Sequence, residues 1–324
     1  MLVLARWLGP WAGGAPRVAI HELAIAGEHE IIRVRHYGDA RNAPLVIAPG
    51  LHLAGPDDPR LDRLCRVLAA SGHEVIAPFL PDHVRLVPGA RACRDFVRVI
   101  DACARPATIF SISLGSRLAV HAAAARPDAV ARLVVFGGYG ELAPTLTYGL
   151  TGAVDGVVRA RRDPITHAIT AINVLGGPPE VIDALRAFVA RARPDTCEAV
   201  ANEVRAALRP PLRSIFDDGV GLGDEASRRV LAAIATATQL TAELDCAADA
   251  ARVRCPVDII HGKDDGDVPV EQAHALARLL TAAPGVRVHI LDDYHHTGFS
   301  RGALRGLIAQ ARTLLRVLRV LAPA

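Results

Sequence analysis

Short apolar runs and amphipathic segments follow one another along much of the chain, and their order predicts the fold class. The run at residues 45–48 is apolar and stops at Pro49-Gly50, a pattern typical of a strand buried on both faces of a parallel sheet. Short strands are also expected at 108–111 and 133–136. Apolar residues recur at helical spacing between these runs, as at 58–71 and 114–125. Strands that alternate with helices predict an α/β fold, with a mostly parallel central sheet flanked by helices.

The same reasoning predicts the other elements of the sheet and its helices. Residues 18–37 form two runs rich in β-branched residues that are separated by Gly27, which predicts an antiparallel hairpin at the edge of the sheet. Further strands are expected at 75–77, 256–262 and 286–291, and further helices at 90–104, 270–283 and 302–321.

The strand pattern stops after Gly140 and resumes only at Pro256. Between these positions apolar residues recur at helical spacing, and the breaks GGPP and RPP separate the predicted helices. Because the α/β pattern resumes after this interval, the helices interrupt one sheet. We therefore predict an α/β core formed by residues 1–141 and 250–324, with a helical cap inserted at residues 142–249.

Length, composition and charge indicate an ordinary globular protein. The 324 residues are 51% hydrophobic, which is enough to bury a full core. The net charge of +3 is distributed along the chain, Lys263 is its only lysine, and only 4% of the residues are aromatic. A nucleic-acid partner is therefore not expected, because such proteins concentrate basic residues in patches interleaved with aromatic ones.

Cofactor and metal signatures are missing from the sequence. The six cysteines form no CxxC pair and have no spacing typical of metal ligands, which argues against a zinc site and a disulfide framework and fits a reducing cytoplasm. Gly219, Gly221 and Gly223 follow no predicted strand, so they do not indicate a dinucleotide site. We expect no cofactor.

The amino-terminal segment 1–16 begins with apolar residues, but Gly9, Pro10 and the pair Gly13-Gly14 interrupt them before a signal-peptide core is complete. We predict a surface helix or arm there. No other stretch approaches the roughly 18 apolar residues of a membrane span. An integral membrane segment is therefore not expected, and the predicted location is the cytoplasm.

The segment TIFSISLGSRLAV contains the best candidate for a nucleophile. Its predicted strand leads into Ser113 and then into a helix, with Ser111 and Gly115 two residues to either side. A nucleophile at a sharp strand-to-helix turn needs small residues at those two positions because the turn brings them into contact, and the usual pattern is G-x-S-x-G. Ser111 departs from that pattern. A serine here is also a common helix N-cap, so the motif alone leaves both interpretations open.

A serine nucleophile needs a general base, and the base needs a group that orients it. The predicted strand that ends at Gly262 is followed by KDDGD, which places Asp265 in the loop at the carboxyl end of that strand. Asp265 is our candidate for the orienting acid. Asp264 and Asp267 share the loop and remain alternatives, and all three residue positions also suit a turn.

The base is expected in the loop after the next strand. VRVHIL is followed by DDYHHTGF, and His296 lies five residues after Leu291. His296 is our candidate base, and its neighbour His295 is the alternative; most of the 13 histidines are expected at surface or packing positions. The candidate serine, acid and base all follow carboxyl ends of predicted parallel strands, which is the edge where α/β proteins form their sites.

Two further polar clusters occur near predicted strand ends. His52, Asp57 and Asp58 lie close together in HLAGPDDPR, but the proline-flanked aspartates suit a turn and a helix start better than a metal site. Asp82 and His83 follow another strand in LPDH. They either line the pocket or lie in a solvated loop.

With these motifs the chain resembles the α/β-hydrolase superfamily with a helical cap, over nearly its whole length. The resemblance implies an oxyanion hole formed by two backbone N–H groups, which match Leu114, directly after the nucleophile, and Leu51, in the loop after the third strand. Many relatives have His-Gly before the second donor, whereas this chain has Pro49-Gly50.

The residues and the resemblance together predict a serine hydrolase that cleaves a carboxylic ester or thioester of an apolar small molecule. Ser113 would attack the carbonyl, His296 would take and return the proton, and Asp265 would orient the imidazole. The resemblance leaves other activities of the same fold open, namely C–C bond hydrolysis, acyl transfer and cofactor-free haloperoxidation. A non-catalytic hydrolase-fold binding protein is the non-enzymatic alternative.

Overall fold

An eight-stranded sheet lies at the centre of the protein in a computed structural model. The structure describes residues 3–4, 6, 14–159, 163–222, 224–292, 294–295, 298–299 and 311–322. The strands of the sheet are β1 (Ile20–Ala26), β2 (Ile31–Tyr37), β3 (Ala43–Ala48), β4 (His73–Phe79), β5 (Ala107–Ile112), β6 (Val130–Phe136), β9 (Val257–Gly262) and β10 (Val286–Leu291). Two small ladders outside the sheet are formed by β7 (Ala153–Val154) with β8 (Val157–Val158) and by β11 (Tyr294–His295) with β12 (Gly298–Phe299).

The strand order is β1-β2-β4-β3-β5-β6-β9-β10. β1 and β2 form the antiparallel hairpin that the sequence predicts at the sheet edge. β2 also pairs antiparallel with β4, and from β4 to β10 every pair of neighbours is parallel. The prediction of a mostly parallel central sheet is therefore confirmed.

Helices connect the parallel strands and fill the interval between β6 and β9. In chain order the helices are α1 (Pro59–Ala70), α2 (Pro81–Val84), α3 (Ala90–Asp101), α4 (Gly115–Ala125), α5 (Leu142–Thr151), α6 (Pro164–Val174), α7 (Pro179–Arg191), α8 (Cys197–Ala207), α9 (Pro210–Gly219), α10 (Asp224–Thr236), α11 (Thr238–Leu244), α12 (Ala247–Ala250), α13 (Glu271–Leu279) and α14 (Ala311–Val320).

Local sequence explains where α1 begins and ends. The Asp58 side chain accepts a hydrogen bond from the backbone N–H of Arg60 at 2.8 Å, and Pro59 occupies the first turn. Aspartate at the N-cap and proline at the next position are favoured because they satisfy or remove the N–H groups that a helix leaves unpaired. The chain leaves the helix through Gly72, whose φ of +108° suits glycine.

Apolar side chains cover both faces of the sheet. One cluster joins the sheet to α3, α4 and α13, and a second joins the opposite face to α1 and α14. Leu4 lies in the second cluster and is fully buried. The segment predicted as a surface helix or arm therefore packs against the core at this residue. Of residues 1–13, only 3, 4 and 6 are described.

A third apolar cluster lies among the helices between β6 and β9, with Phe188 and Phe216 fully buried in an edge-to-face contact. The sequence did not predict β7 and β8 in this interval, since strands of two residues show no periodicity. The turn between them is formed by Asp155 and Gly156, both at positive φ, as in the tight hairpin turns that favour Asp-Gly. Within the described ranges, no helix is long and apolar enough to cross a bilayer.

Candidate active site

Ser113 lies at a strained turn between β5 and α4. Its φ is +52°. Among the described residues other than glycine, only Leu86 and Asp155 also have a positive φ. The Ser113 N–H donates to the carbonyl of Phe136 at 2.9 Å, which ties the turn to the end of β6. A non-glycine residue in this conformation costs on the order of 1–3 kcal/mol, and such residues cluster at functional sites. A strained turn between a strand and a helix is the backbone that a nucleophile elbow requires.

Gly115 allows the start of α4 to approach the end of β3. A Cβ atom on Gly115 would lie 2.1 Å from the carbonyl oxygen of Ala48 and 2.7 Å from that of Pro49. No side chain fits at these distances, so the second small position of the motif is a steric requirement. The close approach places the loop after β3 directly beside Ser113.

Ser111, where the usual motif has glycine, is fully buried in β5. Its hydroxyl has no hydrogen-bond partner within the part of the chain that the structure describes. The position therefore has room for a hydroxymethyl group. The departure from glycine does not prevent the strand-to-helix turn at Ser113 from forming.

The backbone N–H groups of Leu51 and Leu114 flank the nucleophile. A Cβ atom on Gly50, which precedes Leu51, would lie 3.5 Å from the Cβ of Ser113, and Leu114 is the next residue along the chain. Among the described residues, neither N–H donates a hydrogen bond to a protein group. Two unpaired N–H groups beside a nucleophile are what an oxyanion hole requires.

Asp265 lies in the loop after β9, where the sequence places it. The side chain is 2% exposed, and its Oδ1 accepts the backbone N–H groups of Asp267 and Val268 at 2.9 Å each. Its Oδ2 lies 3.7 Å from the Nε2 atom of His261, which bonds to the carbonyl of Val268 at 2.9 Å. These contacts fix one carboxylate oxygen and hold the side chain in one orientation.

The two alternative acids have different surroundings. Asp264 is exposed. Asp267 accepts a hydrogen bond from the Thr166 hydroxyl of α6 at 2.8 Å. Of the three aspartates in the loop, only Asp265 is buried with its side chain held by the loop's own backbone, which favours it as the orienting group.

The candidate base, His296, lies outside the described residues. The alternative, His295, is in β11 and pairs with Gly298. β11 lies against β9, and the N–H of Lys263 donates to the carbonyl of Leu291 at 2.9 Å, so the loops after β9 and β10 start side by side. This register brings β11, with His295, to the edge that holds Ser113 and Asp265.

Residues between β6 and β9 that the sequence did not single out also contact the acid loop. The Tyr148 hydroxyl of α5 donates to the backbone carbonyl of Asp265 at 2.9 Å, and burial raises the pKa of this tyrosine. Arg159 pairs with Glu271 at the start of α13. These contacts join residues more than a hundred positions apart, so no local pattern could have indicated them.

Asp82 and His83 form part of α2 and are buried, so the interpretation as a solvated loop is wrong for both. Asp82 pairs with Arg91. The Nδ1 atom of His83 lies 3.2 Å from the carbonyl oxygen of Pro49, in the loop that carries Leu51. Burial lowers the pKa of His83 to about 4, against the opposing effect of the Gly50 and Pro49 carbonyls.

His52 and Asp58 are joined by a contact of 3.1 Å between Nε2 and Oδ2, and Asp58 is the N-cap of α1. The cluster thus serves the turn and helix start that the sequence favours over a metal site. In the described part of the chain, no group of three His, Cys, Asp or Glu side chains is arranged to hold a metal ion. The six cysteines are free thiols.

No family model matches the chain, and no curated protein matches its sequence. Solved structures do match its fold. The chain has the α/β-hydrolase fold.

Among the matching structures is the uncomplexed acylaminoacyl peptidase of Pyrococcus horikoshii, with 11% identity and a TM-score of 0.52 over 95% of this chain. The match spans 42% of the peptidase. Another is 2-hydroxy-6-oxo-6-phenylhexa-2,4-dienoate hydrolase from Rhodococcus sp. strain RHA1, with 17% identity and a TM-score of 0.50 over 94% of this chain and 100% of that one.

Proposed function

We propose that the protein is a serine hydrolase that cleaves a carboxylic ester or thioester of an apolar small molecule. The observation that carries the proposal is the geometry at Ser113, which combines a positive φ at a strand-to-helix turn with two unpaired N–H groups beside it. The matching hydrolase structures support the fold on which this geometry occurs.

In the proposed mechanism, the Oγ of Ser113 attacks the acyl carbonyl while His296 accepts the hydroxyl proton. The Leu51 and Leu114 N–H groups bind the oxygen that becomes negative, and Asp265 stabilises the imidazolium. His296 then gives the proton to the leaving alcohol or thiol, which leaves an acyl group on Ser113. Water, deprotonated by the same histidine, releases the acid and restores the serine.

The proposed apolar specificity rests on four half-buried leucines that pack against two apolar clusters. Leu51 and Leu53 pack against the apolar cluster of the helices between β6 and β9, and Leu114 packs against the core cluster of the sheet. Leu146 of α5 packs against both clusters. We propose that residues 142–249 form a cap over the site and that this apolar boundary receives the acyl group.

The experiment that tests this function is hydrolysis of p-nitrophenyl esters of increasing acyl length by the wild-type protein, together with one acyl thioester. We expect kcat/KM to rise from acetate to medium-chain esters, by up to about fourfold per methylene, because a buried CH₂ contributes about 0.8 kcal/mol. Hydrolysis of none of these compounds above the buffer rate would contradict the proposal.

Replacement of Asp265 by asparagine is expected to lower kcat by a factor of about 10⁴, the effect of neutralising the acid in a Ser-His-Asp triad. Because an amide oxygen still accepts the N–H groups of Asp267 and Val268, the loop should keep its conformation. The measurement is kcat on the best ester of the panel.

Asp264→Asn is the matched control, since it neutralises the exposed neighbour in the same loop. We expect it to retain the wild-type rate within about threefold, as a surface substitution does. A loss of activity in Asp264→Asn, with Asp265→Asn unaffected, would transfer the role of acid to Asp264.

A further inference from the structure

We propose that His83 is a positioning residue that anchors the loop whose Leu51 N–H donates to the oxyanion. The proposal rests on the serine-hydrolase function proposed above. His83 belongs to α2, after β4, and lies 34 positions along the chain from Pro49, whose carbonyl it contacts. It acts through the loop and does not itself touch the substrate.

The contact defines which nitrogen of His83 carries the proton. A carbonyl oxygen can only accept, so the Nδ1 atom that lies 3.2 Å from the Pro49 oxygen carries the hydrogen and donates it. The side chain is 3% exposed, and burial lowers its pKa to about 4. His83 is thus a neutral Nδ1–H donor throughout the pH range in which serine hydrolases work.

The position of Pro49 connects this contact to the oxyanion. The Pro49 carbonyl that His83 contacts belongs to the peptide group directly before the one that donates the Leu51 N–H. The two planar groups are joined at the Cα of Gly50, so a fixed first group limits where the second can lie.

The loop needs such a restraint because glycine supplies none of its own. Gly50 has no side chain to limit its dihedral angles, and any larger residue would crowd the carbonyl of Ile112 at 3.2 Å. Gly115 closely approaches the Pro49 carbonyl oxygen, and His83 contacts the same oxygen. Two separate elements thus hold the loop at the residue before Gly50.

Two substitutions of His83 separate positioning from packing. In His83→Asn, the amide nitrogen is bonded to Cγ, as Nδ1 is in histidine, so it can donate to Pro49 from nearly the same place. In His83→Gln the amide lies one bond further along and cannot. Both replacements are polar and uncharged, so their effects on stability should be similar, as measured by the thermal midpoint.

We expect His83→Gln to lower kcat by about 30-fold with KM unchanged within threefold. Removal of an oxyanion donor lowers kcat by about 10²–10³-fold, and displacement of the donor should cause part of that loss. His83→Asn should restore kcat to within about fivefold of the wild type. An alkyl trifluoromethyl ketone, which forms a tetrahedral adduct with the nucleophile, should bind His83→Gln about 30-fold more weakly. The corresponding secondary alcohol should bind both variants equally.

Equal kcat values for the two variants, or a change confined to KM, would overturn the proposal. So would a proton on Nε2 rather than Nδ1 of His83 in the ¹H–¹⁵N NMR spectrum of the wild-type protein at neutral pH, a measurement that needs no variant. Failure of the wild type to hydrolyse any ester and to bind the trifluoromethyl ketone would instead contradict the proposed serine-hydrolase function.

Discussion

Replacement of Ser113 by alanine is expected to lower kcat for ester hydrolysis by a factor of about 10⁶, which is the cost of removing the nucleophile from an intact triad. Without the hydroxyl, no acyl-enzyme forms, and only the N–H groups of Leu51 and Leu114 remain to stabilise direct attack by water. The measurement is the steady-state rate on the best ester of the panel, with the enzyme concentration raised to detect a residual rate.

The matched control for Ser113→Ala is Ser111→Ala, two positions earlier. The Ser111 hydroxyl is buried and has no hydrogen-bond partner among the described residues, so its loss removes no hydrogen bond among them. We expect Ser111→Ala to keep kcat within about threefold and to leave the free energy of unfolding equal or higher, since a buried hydroxyl without a partner costs about 1–3 kcal/mol. A rate for Ser113→Ala equal to that of Ser111→Ala would exclude Ser113 as the nucleophile.

Replacement of His296 by alanine is expected to lower kcat by a factor comparable to that for Ser113→Ala, about 10⁵–10⁶, because a serine without its base is a poor nucleophile. The described neighbours of His296 support this assignment: β11 lies against β9, and the loops after β9 and β10 begin side by side. The assay is the same steady-state measurement, followed by circular dichroism to show that the variant is folded.

His295→Ala is the control for the base, since it removes an imidazole one residue away. His295 is paired through its backbone with Gly298 in a small ladder that an alanine can also form. We expect a decrease of less than about tenfold. The reverse result, with His295→Ala inactive and His296→Ala active, would assign His295 as the base.

Local sequence was sufficient for the elements that determine the fold. The strands β3, β5 and β6 lie where short apolar runs predict them, and α1 begins at the predicted turn of Asp58. The strand-to-helix turn at Ser113 was also predictable, because the residues that form it are adjacent in sequence. The carboxyl ends of parallel strands meet at one edge, so the order of the predicted strands was enough to place Asp265 and Ser113 at the same edge of the sheet.

Contacts between distant residues were not predictable from the sequence. Nothing near His83 indicates that its ring faces the Pro49 carbonyl, and nothing near Tyr148 indicates its bond to Asp265, since both contacts arise only when separate elements pack. The burial of Leu4 was not predictable for a similar reason: the glycines and the proline after it show where the segment is interrupted, but not that this side chain packs against the core. Burial of a single side chain depends on tertiary packing, which a local pattern does not contain.

Covalent labelling with a fluorophosphonate, followed by peptide mapping, is the most direct test of the central claim. Fluorophosphonates react with activated serines, because the hydroxyl oxygen displaces fluoride when a base removes its proton. The tryptic peptide 99–117 contains Ser111, Ser113 and Ser116, so fragmentation of this peptide must locate the label. We predict one label, on Ser113; no labelling, or a label on another serine, would contradict the proposed site.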